Sequence, residues 1–435
     1  MTLLSFGTPH GCLPAQGRGL PFPGECGALL RRLGIVCAGY ALVAGPAQAL
    51  EFGEALQIAE QHSPRTAAQR LQIEAADTAR KAAGTLPDPK LSVGIENLPV
   101  SGMDRWSFTR ESMTMQRLAL MQEVPNQAKR DAQAATARAR VERERAALVL
   151  QRLQIRQEVS LAWIAAQAVE QRERLLAELL QENQRLQDSL PARVAAGTAP
   201  AGDLLAARQE ALALSDRRDD LQRDRARARA ALRRWVGPRA DEGLQSGPGP
   251  LARPVEQMRT DLPHHAELAQ YPALRNMAQA ESHEAQADSR GDWSWEVAYS
   301  RRGRQWGDMV SFQVTFDLPW QRERRQTPLA QAKQLEAQRI EVEQEDAVRR
   351  HLQELDDGAA ELQALERQIE RLQSTGLRLA QGRVDLALAG YQAAKGDLGA
   401  LLGARAQVLE ARLRLIDLQA QRDSLVARLN NLIAD

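Results

Sequence analysis

The order of parts in this chain is written twice, and that duplication limits the fold more than any local signal. Leu204-Leu205-Ala206-Ala207-Arg208 returns as Leu401-Leu402-Gly403-Ala404-Arg405, a shift of 197 residues (401 − 204), and the same shift carries Asp220-Leu221-Gln222 onto Asp417-Leu418-Gln419. Arg225 and Leu232 fall on Arg422 and Leu429 without a gap. Upstream, Val124-Pro125 is answered by Leu318-Pro319 and Ser63-Pro64 by Tyr271-Pro272. Between the copies, residues 237–265 hold Gly247-Pro248-Gly249-Pro250 and prolines at 238, 254 and 263, which cannot continue a helix, so this stretch reads as a connector. The expected domains are 50–236 and 266–435, two versions of one unit.

Each copy reads helix, strand, strand, long helix, turn, helix. Residues 52–83 carry Ala, Leu and Ile at three-four spacing and stop at Leu86-Pro87-Asp88-Pro89, where the prolines enforce extended backbone. The period then falls to two. In the first expected hairpin, 90–125, Leu91, Val93 and Ile95 alternate with polar or small residues, as do Leu118 and Leu120, with Gln122 and Val124 following in phase. In the second, 292–319, Trp293, Trp295, Val297 and Tyr299 alternate with Ser294, Glu296, Ala298 and Ser300, and Phe312, Val314, Phe316 and Leu318 alternate with Ser311, Gln313, Thr315 and Asp317. Aromatic residues are only 4% of the chain, so their gathering in these strands carries weight.

Two placements fit the alternation. One is a half-buried hairpin in a soluble domain. The other is a set of tilted strands crossing an outer membrane, apolar side toward lipid and polar side toward a lumen. Repetition, aromatic enrichment and the leader described below favour the second. Four strands cannot close a barrel, and backbone groups unpaired in lipid cost several kcal/mol each, so that placement demands more copies of the chain.

After each hairpin comes a proline-free run, Lys129 to Ser189 and Leu329 to Ala389, long enough for a helix of roughly 90 Å. Apolar seams at three-four spacing are clearest at Leu176, Leu179, Asn183, Leu186 and Leu190, and at Leu362, Leu365, Ile369, Leu372, Gly376 and Leu379. Each rod should reverse into a partner helix at a Gly- or Pro-bearing tip. The first tip, 191–201, contains Arg193-Val194-Ala195-Ala196-Gly197-Thr198-Ala199-Pro200; the second, 389–397, contains Gly390-Tyr391-Gln392-Ala393-Ala394-Lys395-Gly396-Asp397.

Residues 1–49 read as a signal peptide with an over-long leading segment: Arg31-Arg32, an apolar run from Leu33 to Val43, and Ala47-Gln48-Ala49 as a small-x-small cleavage site. Cys12, Cys26 and Cys37 all fall inside it, so a chain starting at Leu50 has neither disulfides nor thiolate metal sites. Val36 stands where a lipoprotein signal at Cys37 needs a small residue, which favours a non-lipidated start. Lys plus Arg (57) and Asp plus Glu (56) nearly cancel and are interleaved, leaving no basic face for nucleic acid. His264-His265 in the connector lacks carboxylates or cysteines at ligand spacing and reads as a solvated loop rather than a metal site. No nucleophile, base and orienting group cluster, and no phosphate-binding glycine loop follows a strand, so neither enzyme activity nor a cofactor is expected.

The ordered set of Phe52-Gly53-Glu54-Ala55-Leu56, Ser63-Pro64, Leu86-Pro87-Asp88-Pro89 leading into Leu91-Ser92-Val93-Gly94, and Arg193-Val194-Ala195-Ala196-Gly197 followed by Asp203-Leu204-Leu205, resembles the TolC family of outer-membrane efflux channels. The resemblance implies a mainly helical, TolC-like fold, with helical hairpins forming a periplasmic tunnel. It further implies homotrimers whose four strands per subunit close one twelve-stranded barrel in outer-membrane lipid. A periplasmic adaptor and an inner-membrane RND pump are the implied partners, in a Gram-negative cell. Pro87-Asp88-Pro89, Glu96-Asn97-Leu98-Pro99 and Asp308-Met309-Val310-Ser311 look like the heavy-metal cation branch. The sequence departs from it where the basic residue after Val124-Pro125 is delayed to Lys129 and where Ala394 replaces a glycine.

Relatives narrow the periplasmic end with polar side chains. By that resemblance the aperture or adaptor contact falls on Arg193, Val194, Gly197, Asp203, Tyr391, Lys395 and Asp397, with capping of the return helices as the alternative role of the two aspartates. Leu91, Val93, Ile95, Leu118, Leu120, Trp293, Trp295, Val297, Tyr299, Phe312, Val314 and Phe316 are the expected lipid-facing side chains. The alternatives are the exit duct of a type I protein secretion or drug efflux system and, from another class, a periplasmic adaptor or coiled-coil scaffold.

Overall fold

The computed structural model describes residues 49–245, 253–393 and 395–431. The leader features up to Gln48, all three cysteines, the Gly247 to Pro250 cluster and Ala394 lie outside them.

The expected first helix is two helices, α1 (Phe52–His62) and α2 (Pro64–Ala82). Ser63 is extended (φ −63°, ψ 124°) because the ring of Pro64 bars helical backbone before it, while Pro64 itself starts α2 where no N–H partner is needed. Strands β1 (Lys90–Glu96) and β2 (Met115–Val124) follow. The first rod, α3 (Gln127–Ala195), is 69 residues, about 100 Å at the α-helical rise. Its start is capped by Asn126, whose side chain accepts the Lys129 N–H at 2.9 Å. It runs on past Ser189 through Pro191, because Leu190, with no exposed surface, anchors the last turns in the tip core; such burial is worth about 2 kcal/mol and offsets much of the lost hydrogen bond. The return helix α4 (Ala201–Val236) ends at Gly237, whose left-handed backbone (φ +63°) leads into Pro238.

The connector contains α5 (Val255–Thr260), and α6 (Ala266–Ala269) follows it ahead of α7 (Tyr271–Ala287). Strands β3 (Trp293–Arg301) and β4 (Met309–Phe316) complete the second hairpin; β4 ends before Leu318, whose alternation continues outside the ladder. The second rod is α8 (Gln326–Arg371), a π-helical turn at Leu372–Gly376, and α9 (Leu377–Gln392), which takes in Gly390 and Tyr391; α10 (Leu398–Asn431) returns. No described helix is long and apolar enough to cross a membrane.

The four strands form one antiparallel sheet in the order β1-β2-β3-β4, so β2 against β3 joins the two copies of the repeat. The helices bury thin cores along the rods. Ile155, Val159, Trp163, Leu232 and Val236 pack with Leu50, Ala55 and Leu244 in the first copy; Leu355, Leu362, Leu365, Ile369, Leu418 and Leu429 pack with connector Met258 in the second.

The second seam departs from its expected course. Leu362, Leu365 and Ile369 are buried, but Leu379 is 66% exposed, and Val384 turns inward instead. The π-turn holds one residue more than an α-turn and rotates everything beyond it out of phase. A Cβ on Gly376 would stand 2.9 Å from Leu372 Cδ1, so glycine leaves room for that leucine to cover the widened turn.

His265 overturns the expected solvated loop: it is buried beside His351 of α8, ring centroids 4.0 Å apart, while His264 is exposed. Burial, and then the neighbouring His351, push the His265 imidazole down to about 4. Its Nδ1 accepts the Glu267 N–H, and the two nitrogens of His351 meet Glu267 and Glu354 at 3.1 and 3.0 Å. The connector folds onto α8 because Leu262, Leu268 and Tyr271 bury with Ala347, and this carries His265 in with them. Among the described residues no group of three ligand-type side chains fits a metal ion.

Candidate functional site

Two surfaces carry the sequence-predicted residues: one face of the sheet and the tips of the helical hairpins.

Strand register sorts the sheet into two faces, because side chains directly opposite share a side. Leu91 pairs with Leu120, Leu120 with Val297 and Val297 with Phe312; Val93 pairs with Leu118, Leu118 with Tyr299 and Tyr299 with Val310. Val124, Trp293 and Phe316 form another row, and Gln122, Trp295 and Val314 the one between. Ile95 lies on the same side but opposite Gln116, at the polar end of this face. Leu91, Val93, Phe312 and Phe316 are each about two-thirds exposed or more in the single chain, an apolar face with nothing on it.

The opposite face carries Ser92, Ala119, Ala298 and Ser311 in one row and Gly94, Arg117 and Ser300 in the next. Arg117 reaches across three strands there, donating to Glu96 at 2.6 Å and pairing with Glu296. Sequence reasoning passed over this cluster, since Arg117 lies 21 positions from Glu96 and 179 from Glu296 and only the ladder brings the three together. The hairpin loops also lock: a Cβ on Gly303 would stand 2.3 Å from the Thr109 carbonyl oxygen, so only glycine lets that backbone approach.

Where the sheet meets the rods, Asp292 ties the copies together. Its carboxylate accepts the Asn126 N–H at 2.8 Å and the Lys129 ammonium at 3.1 Å, and Lys129 also pairs with Asp288 at 2.6 Å. Burial works to raise the Asp292 carboxyl, but the Asn126 and Lys129 donors win and hold it below the usual carboxylate range. The Asp288 carboxylate, with Asp292, raises Lys129. The delayed basic residue is therefore the corner's counter-ion.

At the tips all four long helices meet around Leu190, Ala207, Val384, Leu398 and Leu401, with Val194 and Tyr391 packed against them. Gly197 supplies the left-handed residue (φ +69°) after α3, and Thr198 N–H closes the turn on Arg193 O at 2.9 Å. The two aspartates part ways. Asp397 caps α10, accepting the Ala400 N–H at 2.7 Å. Asp203 caps nothing: Pro200 occupies the N-cap of α4, and the buried Asp203 carboxylate accepts the Tyr391 hydroxyl at 2.7 Å. Burial and then that carboxylate raise the Tyr391 phenol, and the Arg193 guanidinium lies over its ring, 5.2 Å from the centroid. Lys395 is exposed, with its N–H on Gly390 O. The structure thus joins Asp203, Tyr391 and Arg193 in one contact bridging the hairpins and leaves Lys395 outside it.

No family model matches the sequence, and no curated protein matches it. Solved structures do. A membrane protein from Pseudomonas aeruginosa superposes with a TM-score of 0.72 at 18% identity, covering 88% of this chain and 90% of that one. The outer membrane protein VceC from Vibrio cholerae gives 0.70 at 19%, covering 88% and 95%. The Campylobacter jejuni CmeC outer membrane channel gives 0.70 at 12%, covering 88% and 85%. At such identities the likeness establishes the fold, mainly helical with a small antiparallel sheet as these channels have, and the sequence-predicted fold class stands.

Proposed function

We propose that this chain is one subunit of a homotrimeric outer-membrane duct, the passive exit of a tripartite efflux system that includes a periplasmic adaptor and an inner-membrane RND pump. One observation carries the reading: a four-stranded sheet, apolar on one face and polar on the other, whose apolar face is bare and whose β1 and β4 edges are unpaired in the single chain. In lipid, open edges are too costly to persist, and three copies of this sheet complete a twelve-stranded barrel with Arg117, Glu96 and Glu296 toward the lumen. The shared fold with outer-membrane channels supports it. The tip contact of Tyr391, Asp203 and Arg193 is the closure of the periplasmic end.

The cargo we assign is heavy-metal cations, on the resemblance of Pro87-Asp88-Pro89 and Glu96-Asn97-Leu98-Pro99. A passive duct makes and breaks no bonds, so direction comes from its partners.

The test is the state of the protein extracted from membranes. Size measurement in detergent is expected to give trimers; a water-soluble dimer or monomer would end the proposal. For the cargo, deletion of the chain is expected to sensitise cells to copper, zinc or cadmium salts more than to drugs, and the reverse pattern would replace metal with drug efflux.

A further inference from the structure

The two copies leave the sheet differently. In the first, Asn126 alone separates Pro125 from α3, whereas in the second Trp320 to Arg325 stand between Pro319 and α8. That added segment is cationic and aromatic: Arg322, Arg324 and Arg325 stand against the single acid Glu323, and Trp320 is 87% exposed. Arg322 donates to Ser289 Oγ at 2.8 Å, which holds the segment against the end of α7. Between segment and helix lies a cavity of about 370 Å³ whose walls include Gln286, Ser289, Arg290, Arg322, Gln326 and Thr327. The side-chain carbonyl oxygen of Gln326 is buried with no hydrogen-bond partner, and Arg290 and Arg322 have no carboxylate partner among the described residues. A buried acceptor left unsatisfied beside two unpaired guanidinium groups calls for a ligand that both donates and carries negative charge.

The cavity opens on the side of the wall that continues the apolar face. Asp317 N–H donates to Asp292 O at 2.8 Å, so the ladder runs on to Asp292, which falls in phase with Ser294 and Glu296 on the polar face. Lys129 joins Asp292 to Asp288, which puts Asp288 on that polar side too. Gln286 stands two residues back along helical backbone, about 200° around the axis, and so points the other way. Next to the cavity the apolar face ends in the row of Trp293 and Phe316, with the exposed Leu318 and Trp320 beyond it. Tryptophan is favoured where lipid meets water, so Trp320 marks the headgroup level, and the cavity lies at that level.

We infer that this cavity seats the headgroup of an anionic phospholipid of the periplasmic leaflet, its phosphodiester on Arg290 and Arg322 and a headgroup hydroxyl donating to Gln326 Oε1, as phosphatidylglycerol offers. Guanidinium groups present paired N–H donors that match phosphate oxygens, and the Thr327 hydroxyl adds a neutral donor. A lipid fits better than a soluble phosphate because the exposed Phe316 and Leu318 lie where its acyl chains would run. The inference rests on the outer-membrane duct proposed above and names the lipid that sets its depth.

Thermal unfolding of the membrane-extracted protein in neutral detergent tests it, with phosphatidylglycerol, phosphatidylmethanol and phosphatidylcholine of equal chain length as probes. Phosphatidylglycerol is expected to raise the midpoint at about tenfold lower concentration than phosphatidylcholine, the difference one charge-assisted contact makes. Phosphatidylmethanol, which keeps the phosphate and lacks the hydroxyl, is expected to fall between them, and Gln326→Leu to close its gap to phosphatidylglycerol. Arg290→Gln with Arg322→Gln is expected to unfold as the parent does without lipid, since both side chains are exposed, and to lose the preference for phosphatidylglycerol. Arg185→Gln with Arg208→Gln, equally exposed but on the rods, is expected to keep it. Glycerophosphoglycerol, the same headgroup without chains, is expected to give no shift at equal concentration; an equal shift that the Arg290 and Arg322 variant loses would make the ligand a soluble phosphate and overturn the lipid. Trimers that respond alike to phosphatidylglycerol and phosphatidylcholine overturn the site and leave the duct standing. A water-soluble monomer overturns both.

Discussion

From Leu153 to Leu190 the first rod keeps its apolar stripe turned toward its own chain, whereas the second keeps it only to Ile369 and swings it outward past the π-turn. The first rod carries no histidine, while the second has His351 in its core against His265. The first tip buries its aspartate under Tyr391, and the second spends its aspartate on a cap. Two versions of one unit therefore divide the labour: the first is the rigid strut, and the second carries the departures from regularity. In duplicated folds, the copy that breaks periodicity is where a partner or a switch is to be sought.

Several substitutions sharpen or break this comparison. The largest effect is expected at the shared tip core, where Leu398→Ala empties a site with no exposed surface and destabilises by about 3 kcal/mol, read by denaturant unfolding in detergent. An equal loss from Leu379→Ala in monomeric, dispersed protein would show that the second seam never left its own chain.

The acid response comes next. The His265 imidazole stays neutral in the folded protein down to about 4, whereas in the unfolded chain it protonates near 6.5. Stability is full above that value and falls as pH drops toward 4, by up to about 3 kcal/mol. Unfolding midpoints at pH 7.5 and 4.5 are expected to converge in His265→Leu; an unchanged pH slope would remove the histidine pair as the cause.

Tyr391→Phe leaves the buried Asp203 carboxylate without its donor and is expected to cost about 1–3 kcal/mol locally. The expected readout is a rise in resting conductance of bilayer-inserted protein. Asp397→Ala removes only a cap, about 1 kcal/mol, and is expected to leave conductance alone. Equal conductance changes in the two variants would erase the distinction between the tips. Smallest of all, Leu379→Ala in dispersed protein is expected to shift stability by less than about 0.5 kcal/mol.

Much of the fold was legible because its signals are periodic. Alternation at Trp293 to Tyr299 and three-four spacing around Leu176 need no knowledge of distant residues. Legibility failed where one residue changed the phase. Ser63 split a helix whose amphipathic pattern ran straight through, and the π-turn displaced Leu379 although its spacing from Leu372 is a perfect seam. It failed again where contact joins distant segments. The family resemblance picked out Asp203 and Tyr391 singly but could not pair residues 188 positions apart, and spacing gave no hint of Arg117 between Glu96 and Glu296. His265 misled because a proline-rich stretch suggests solvent, while its apolar neighbours Leu262 and Leu268 pull it inward.

Leu50 has no accessible surface: its N–H donates to Gly243 O at 2.8 Å, and its carbonyl accepts the Gln245 N–H at 3.0 Å. A peptidase needs several residues on both sides of the scissile bond drawn out as an open strand, and this backbone is already clasped. If the leader is cut after Ala49, the cut must come before residue 50 settles beside the connector. Maturation would then have a fixed sequence of events, and a chain that folded first would keep its leader.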